Sequence, residues 1–146
     1  MIVTRLEAMM TDEEILEALR PLLAEVLGVA PDRISLDSVL VSDLGAESID
    51  LFDLSFLIEE KFRVTIEANE IEHEAKKRLP GGVYEKDGCL TEEALAEIRR
   101  AVPELDPAKL VKGLRKMDLP SLLTVGFFVH LIARKLALRQ QGGAHA

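Results

Sequence analysis

Apolar residues recur at helical spacing in three long runs of this chain. In the first, Ile15, Leu19, Leu22, Leu23 and Val26 share one face. Thr11, with Glu14 three residues on, reads as a capping box, so a helix is predicted from there to about Leu27. Gly28 closes it, and Pro21 is expected to kink or split it. The second run goes from Ser48 to about Phe62 without Gly or Pro. Leu51, Leu54, Ile58 and Phe62 form its core stripe, while Ile49, Phe52 and Phe56 fall nearly opposite, flanked by Asp53, Glu59 and Glu60. A small bundle does not bury both sides of one helix. The second stripe is either a docking surface or is covered by another part of the chain. The third run, Thr124 to about Leu138, has Val125, Phe128, Val129, Ile132 and Leu136 as its buried stripe.

The stretches between these runs are less regular. Residues 29–47 form a long loop with Pro31 and Gly45 as its stiff and pliant points; Ile34, Leu36, Val39, Leu40 and Leu44 are expected to pin it to the core. A shorter, strongly charged helix is predicted from Ile66 to about Leu79, ending at Pro80-Gly81-Gly82. Its Glu70-Ile71-Glu72-His73-Glu74 segment has metal-binding residue types but no second ligand cluster, so it reads as a solvated face. Residues 80–118 open with a loop or hairpin turning on Asp87-Gly88. A helix capped by Thr91 follows, to Ala101, and another is predicted from Asp106-Pro107 to about Lys116. The lead-in 1–10 and the tail 139–146 are expected to be flexible. The fold class is all-α, a single domain with a bundle core at 11–79 and 119–138 and a helical insertion at 80–118.

Composition narrows the function. Apolar residues make up 48% and aromatics 4%, which suits a helical core of Leu, Ile, Val and Ala. The formal net charge of −8 argues against nucleic acid or an anionic membrane as the main partner. The charge is concentrated: between Arg33 and Lys61 lie Asp37, Asp43, Glu47, Asp50, Asp53, Glu59 and Glu60, with no basic residue. The single cysteine excludes an internal disulfide. The N-terminus lacks the long apolar core of a signal peptide, and no apolar run is long enough to span a bilayer, so a cytoplasmic location is expected. Catalysis by this chain alone is not expected. Its three histidines are scattered, His130 has no acid nearby in sequence, and Cys89 has only Lys86 as a basic neighbour.

The candidate chemistry centres on Asp43-Leu44-Gly45-Ala46-Glu47-Ser48-Ile49-Asp50-Leu51, a loop that turns into a helix at Ser48. A serine there meets unpaired backbone N–H groups and the positive end of the helix dipole, a place that suits a phosphate ester. On the serine alone the N-cap is the favoured reading, since that is the commonest job of a serine before an apolar run. The surrounding residues resemble the Asp-Leu-Gly-x-Asp-Ser-Leu-Asp signature of acyl carrier proteins, with Glu47 where the family usually has Asp. Glu25-Val26-Leu27-Gly28-Val29 and Asp32-Arg33-Ile34 resemble the end of the family's first helix and the loop after it. Leu57-Ile58-Glu59-Glu60-Lys61-Phe62 resembles the end of its second helix, and Thr124-Val125-Gly126 the start of its last.

The resemblance implies a 4′-phosphopantetheine arm on Ser48, on which acyl intermediates are held as thioesters for fatty-acid or specialised-lipid enzymes. It also favours docking for the second stripe, with Glu47, Ile49, Asp50, Phe52, Asp53, Phe56, Glu59 and Glu60 as the docking set. The implied partners are a phosphopantetheinyl transferase and acyl-transferring and condensing enzymes with basic patches; the carrier itself is expected to be monomeric. Two alternatives remain: an unmodified interaction module, and a carrier for polyketide or aminoacyl units. The insertion, with Lys109, Lys112, Arg115 and Lys116, is expected to leave the second helix open rather than cover Phe52 and Phe56.

Overall fold

The computed structural model describes residues 10–66 and 69–143, and it is an all-helical bundle with one small hairpin. Helix α1 spans Asp12–Leu27. Thr11 Oγ1 accepts from the Glu14 N–H at 3.1 Å, and Glu14 Oε1 accepts from the Thr11 N–H at 2.9 Å, completing the capping box. Gly28 closes the helix with a φ of 67°, its N–H reaching the Ala24 carbonyl at 2.9 Å. The helix runs unbroken through Pro21, contrary to the expected split. Pro21 lies on the exposed side, where solvent is available to the carbonyl left without a donor.

Helix α2 spans Ser48–Phe62, and α1 packs against both α2 and α5, the last helix, Val125–Gly143. Ile15, Leu19, Leu23, Leu54, Ile58, Val125, Val129 and Ile132 form the centre of the core. Helix α5 continues past Leu138, where the sequence pattern had ended it. Arg139 accounts for part of this extension: its Nη1 donates to the carbonyls of Phe62 and Arg63 at 2.8 and 2.7 Å, tying α5 to the end of α2. Residues 139–143 of the tail expected to be flexible are helical, while residues 1–9 of the 1–10 lead-in and 144–146 of the tail lie outside the described residues. Met10 packs partly against the core.

Helix α3 covers only Glu70–Lys77, shorter than the predicted Ile66–Leu79. Before it, the Ile66 N–H is taken by Glu59 Oε2 at 2.7 Å. After it, Arg78 and Leu79 donate to the carbonyls of Ala75 and Lys76, a tightened last turn. The insertion then forms strands β1, Glu85–Lys86, and β2, Cys89–Leu90, turning on Asp87 (φ 54°) and Gly88 (φ 83°), and helix α4, Glu92–Ala101, which packs on α3. Thr91 Oγ1 caps α4 through the Ala94 N–H at 3.1 Å.

The predicted helix from Asp106 to Lys116 is absent. Only a 3₁₀ turn, Pro107–Lys109, forms there, and a second 3₁₀ segment runs over Lys116–Leu122. The backbone between them is claimed by the hairpin: Leu90 donates to the Leu114 carbonyl and Lys116 to the Gly88 carbonyl, both at 2.9 Å. Leu110 is buried, and Gly113 sits at a φ of 97° that interrupts any helix.

Candidate functional site

The loop before Ser48 is held at both ends. Asp43 Oδ2 accepts from the Val39 N–H at 2.7 Å, and the Ala46 N–H reaches the Leu40 carbonyl at 2.9 Å. Gly45, at a φ of 74°, allows that reversal, while Leu44 and Ala46 bury their side chains beneath it. The loop is also stitched to the start of α5. Leu40 donates to Leu123 at 3.0 Å, and Val125 and Gly126 donate to Ser38 and Leu36, each at 2.9 Å. Of the predicted pinning residues, Ile34, Leu40 and Leu44 are buried and Val39 is half-buried. Leu36 is exposed and contributes through its carbonyl instead.

Ser48 is the first residue of α2, not its cap. Glu47 holds the cap position, and its N–H donates to Asp50 Oδ2 at 2.9 Å. The Ser48 side chain is exposed and makes no hydrogen bond among the described residues. The structure therefore decides against the simple N-cap reading. A free hydroxyl at the positive end of a 15-residue helix is presented to solvent.

The second stripe of α2 is open. Ile49, Phe52 and Phe56 are 65%, 75% and 54% exposed. Glu47, Asp53 and Glu60 are exposed around them. Two of the eight residues expected to dock are spent internally and half-buried: Asp50 on the Glu47 N–H and Glu59 on the Ile66 N–H. The basic residues of the insertion do not reach this helix in the way one arrangement had required. Lys116 Nζ instead bridges Glu72 Oε1 and Glu85 Oε1, each at 2.9 Å.

From Ser48 a groove of about 780 Å³ runs along α2, past Ile66 and α3, to the insertion and α5. Leu51, Phe52 and Phe56 form one wall, Leu119 and Leu123 another, and Phe127, Phe128 and Leu131 of α5 close the back. That volume is in the range of sites for small organic ligands. Sequence reasoning placed Ser48 but missed this groove. The available signal was the pair Phe127 and Leu131, four residues apart, a second apolar stripe on the last helix that needs its own partner.

The charged segment of α3 is not the solvated face that was expected. Glu70 is buried and meets Lys135 Nζ at 2.7 Å. Glu72 meets Lys76 at 2.7 Å and Lys116 at 2.9 Å. Burial works against its charge, but the two ammonium groups outweigh this and hold its carboxyl below the ordinary value. Hydrogen bonds to Glu72 and Glu85 raise the Lys116 ammonium above its usual value. Tyr84, beside this cluster, is pushed up to about 12, first by burial and then by the negative charge of Glu72. No grouping of His, Cys, Asp and Glu among the described residues is suited to hold a metal ion. His130, which has no acid near it in sequence, sits between Glu104 Oε1 at 3.1 Å and Asp12 Oδ2 at 3.2 Å. Cys89 is half-buried, its thiol turned toward the Gly113 carbonyl at 3.7 Å.

A small helical bundle that presents an exposed serine at the start of a helix, beside an apolar groove, fits a carrier class of protein. Comparison with known proteins is consistent with that geometry. Residues 17–75 match the family described as a phosphopantetheine attachment site. The chain is 42% identical over 59 residues to the acyl carrier protein of Campylobacter hominis, a match covering 40% of this chain and 75% of that one. It is 38% identical over 63 residues to the acyl carrier protein of Petrotoga mobilis, covering 43% and 74%. It is 41% identical over 66 residues to that of Borrelia garinii, covering 43% and 82%. No solved structure matches it significantly. This chain belongs to the acyl carrier protein family, and covalent 4′-phosphopantetheine is the cofactor that membership carries with it. Proteins of this kind are carriers rather than catalysts, and they interact with phosphopantetheinyl transferases and biosynthetic enzymes. No helix among the described residues is long and apolar enough to cross a membrane.

Proposed function

We propose that Ser48 is the attachment point of the 4′-phosphopantetheine arm and that the chain carries acyl intermediates for fatty-acid or specialised-lipid enzymes. The observation that carries this reading is the free, exposed Ser48 hydroxyl at the helix start, with the cap position already filled by Glu47. When attached, the group supplies a thiol that holds an acyl unit as a thioester. The chain's own residues do the rest. An arm on Ser48 would put its phosphate ester at the positive end of the α2 dipole. The exposed Ile49, Phe52 and Phe56, with Glu47, Asp53 and Glu60, offer basic-patched enzymes an apolar patch rimmed by acid.

The groove supports a lipid cargo. Leu51, Phe52, Phe56, Leu119, Leu123, Phe127, Phe128 and Leu131 give it apolar walls that favour hydrocarbon. In this reading residues 11–79 and 119–138 are the carrier core, and the insertion at 80–118 extends the groove. The expected location is the cytoplasm and the expected state a monomer.

Intact mass measurement tests the proposal. Incubation with coenzyme A and a broad-specificity phosphopantetheinyl transferase should add the mass of one arm to the wild type. Ser48→Ala should keep the same helical melt and gain no mass. A wild-type chain left unmodified by transferases from several sources would instead support the unmodified interaction module.

A further inference from the structure

Among the described residues, eight polar or charged side chains line the groove; Ser48 and Asn69 are open to solvent, and the buried or half-buried ones are mostly occupied within the protein. Ser55 Oγ donates to the Leu51 carbonyl at 3.1 Å, Glu59 accepts from the Ile66 N–H, and Glu70 and Glu72 are paired with lysines. Tyr84 differs. It lines the groove, is only 5% exposed, and its hydroxyl is buried with no hydrogen-bond partner among the described residues. Native structures seldom leave a buried hydroxyl unpaired, and such a group calls for an explanation. Tyr84 also lies outside residues 17–75, the segment that matches the attachment-site family, so holding the arm does not account for it.

We propose that Tyr84 makes this groove selective for acyl chains that carry a neutral hydrogen-bonding oxygen along the chain, such as hydroxy- or oxo-acyl groups, over plain hydrocarbon chains. This rests on the acyl-carrier reading with Ser48 as the attachment point. The donor is the phenol O–H, and it keeps its proton well beyond neutral pH because burial pushes its ionisation up to about 12. A carboxylate on the cargo is disfavoured. Glu72 and Glu85 already surround the position with negative charge; Lys116 is bridged between those same two acids, and Lys76, over the Tyr84 ring, is paired with Glu72. A neutral oxygen avoids that repulsion and takes the unused donor.

The test loads wild type and Tyr84→Phe at Ser48, using a transferase and acyl-coenzyme A substrates of one length. The set is a saturated chain, the same chain with a mid-chain or terminal hydroxyl, and coenzyme A alone. Two signals are read: the rate at which hydroxylamine cleaves the thioester, and the ionisation midpoint of the single tyrosine by tyrosinate absorbance. In wild type, a hydroxylated chain should be cleaved roughly three- to tenfold more slowly than the saturated one, the factor expected of one neutral hydrogen bond. The hydroxylated chain should also shift the tyrosine midpoint, which needs no variant. Tyr84→Phe should fold normally, since it loses no bond, and should bring the two cleavage rates together. Equal protection in wild type overturns the proposal, as does a tyrosine midpoint that shifts just as much with the arm alone. If no substrate adds mass at Ser48, the carrier reading itself fails; if all load but none is distinguished, only the selectivity fails.

Discussion

The ionisation of Tyr84 gives a direct measure of how tightly the insertion closes on the bundle. The chain has one tyrosine and no tryptophan, so tyrosinate absorbance reports this residue alone. In the folded chain its pKa is raised from 10.0 to about 12 by burial first, then by the charges of Glu72 and Glu85 against the opposing effect of Lys116. The unfolded chain releases the phenol proton near the ordinary value, while the folded chain retains it. Between pH 10 and 12 the folded state therefore binds more protons. The native advantage of the neutral phenol is complete below pH 10 and is lost as pH rises toward 12. At about 1.4 kcal/mol per unit, a shift of this size removes on the order of 3 kcal/mol of stability. Urea unfolding of wild type and Tyr84→Phe at pH 8 and at pH 11 isolates this part, because lysine titration is common to both proteins. Wild type should lose more stability than the variant across that interval. Tyrosinate that forms at the ordinary pH, in a chain still helical by circular dichroism, would refute the closed geometry around Tyr84.

Two further outcomes follow from the packing of α5 and the surface of α2. A Cβ on Gly126 would stand 3.0 Å from the Leu36 carbonyl oxygen, which accepts the Gly126 N–H, so Gly126→Ala should destabilise by roughly 1–3 kcal/mol despite alanine's better helix propensity. An unchanged or higher melting temperature would show that the loop before Ser48 yields freely. The pair Asp53→Lys and Glu60→Lys, both at exposed positions, should change stability by less than about 0.5 kcal/mol yet slow transfer of the arm to the chain. Added salt should slow the wild-type reaction in the same way, and a transfer rate indifferent to ionic strength would remove the electrostatic account of docking.

Much of the bundle was legible in the sequence because caps and periodicity act within one or two turns. The Thr11–Glu14 box, the Thr91 cap, Gly28 and the Asp87-Gly88 turn all form where their residue types place them. The two stripes of α2 were also readable, the buried one through Leu54, Ile58 and Phe62 and the exposed one through Ile49, Phe52 and Phe56. So was the position of Ser48 at a helix start. Long-range contacts decided the rest. Residues 110–116 carry apolar and basic types that suit a helix. Their backbone instead pairs with the hairpin, whose edge offers hydrogen bonds that local spacing does not reveal. His130 gains its two acids from Asp12 and Glu104, both far away in sequence. The charged face of α3 becomes partly internal because Lys116 and Lys135 arrive from other segments to compensate it. The groove exists only where α2, α3, α5 and the insertion meet, so no single segment encodes it: a cavity is set by the distances between elements, and only the tertiary packing determines those.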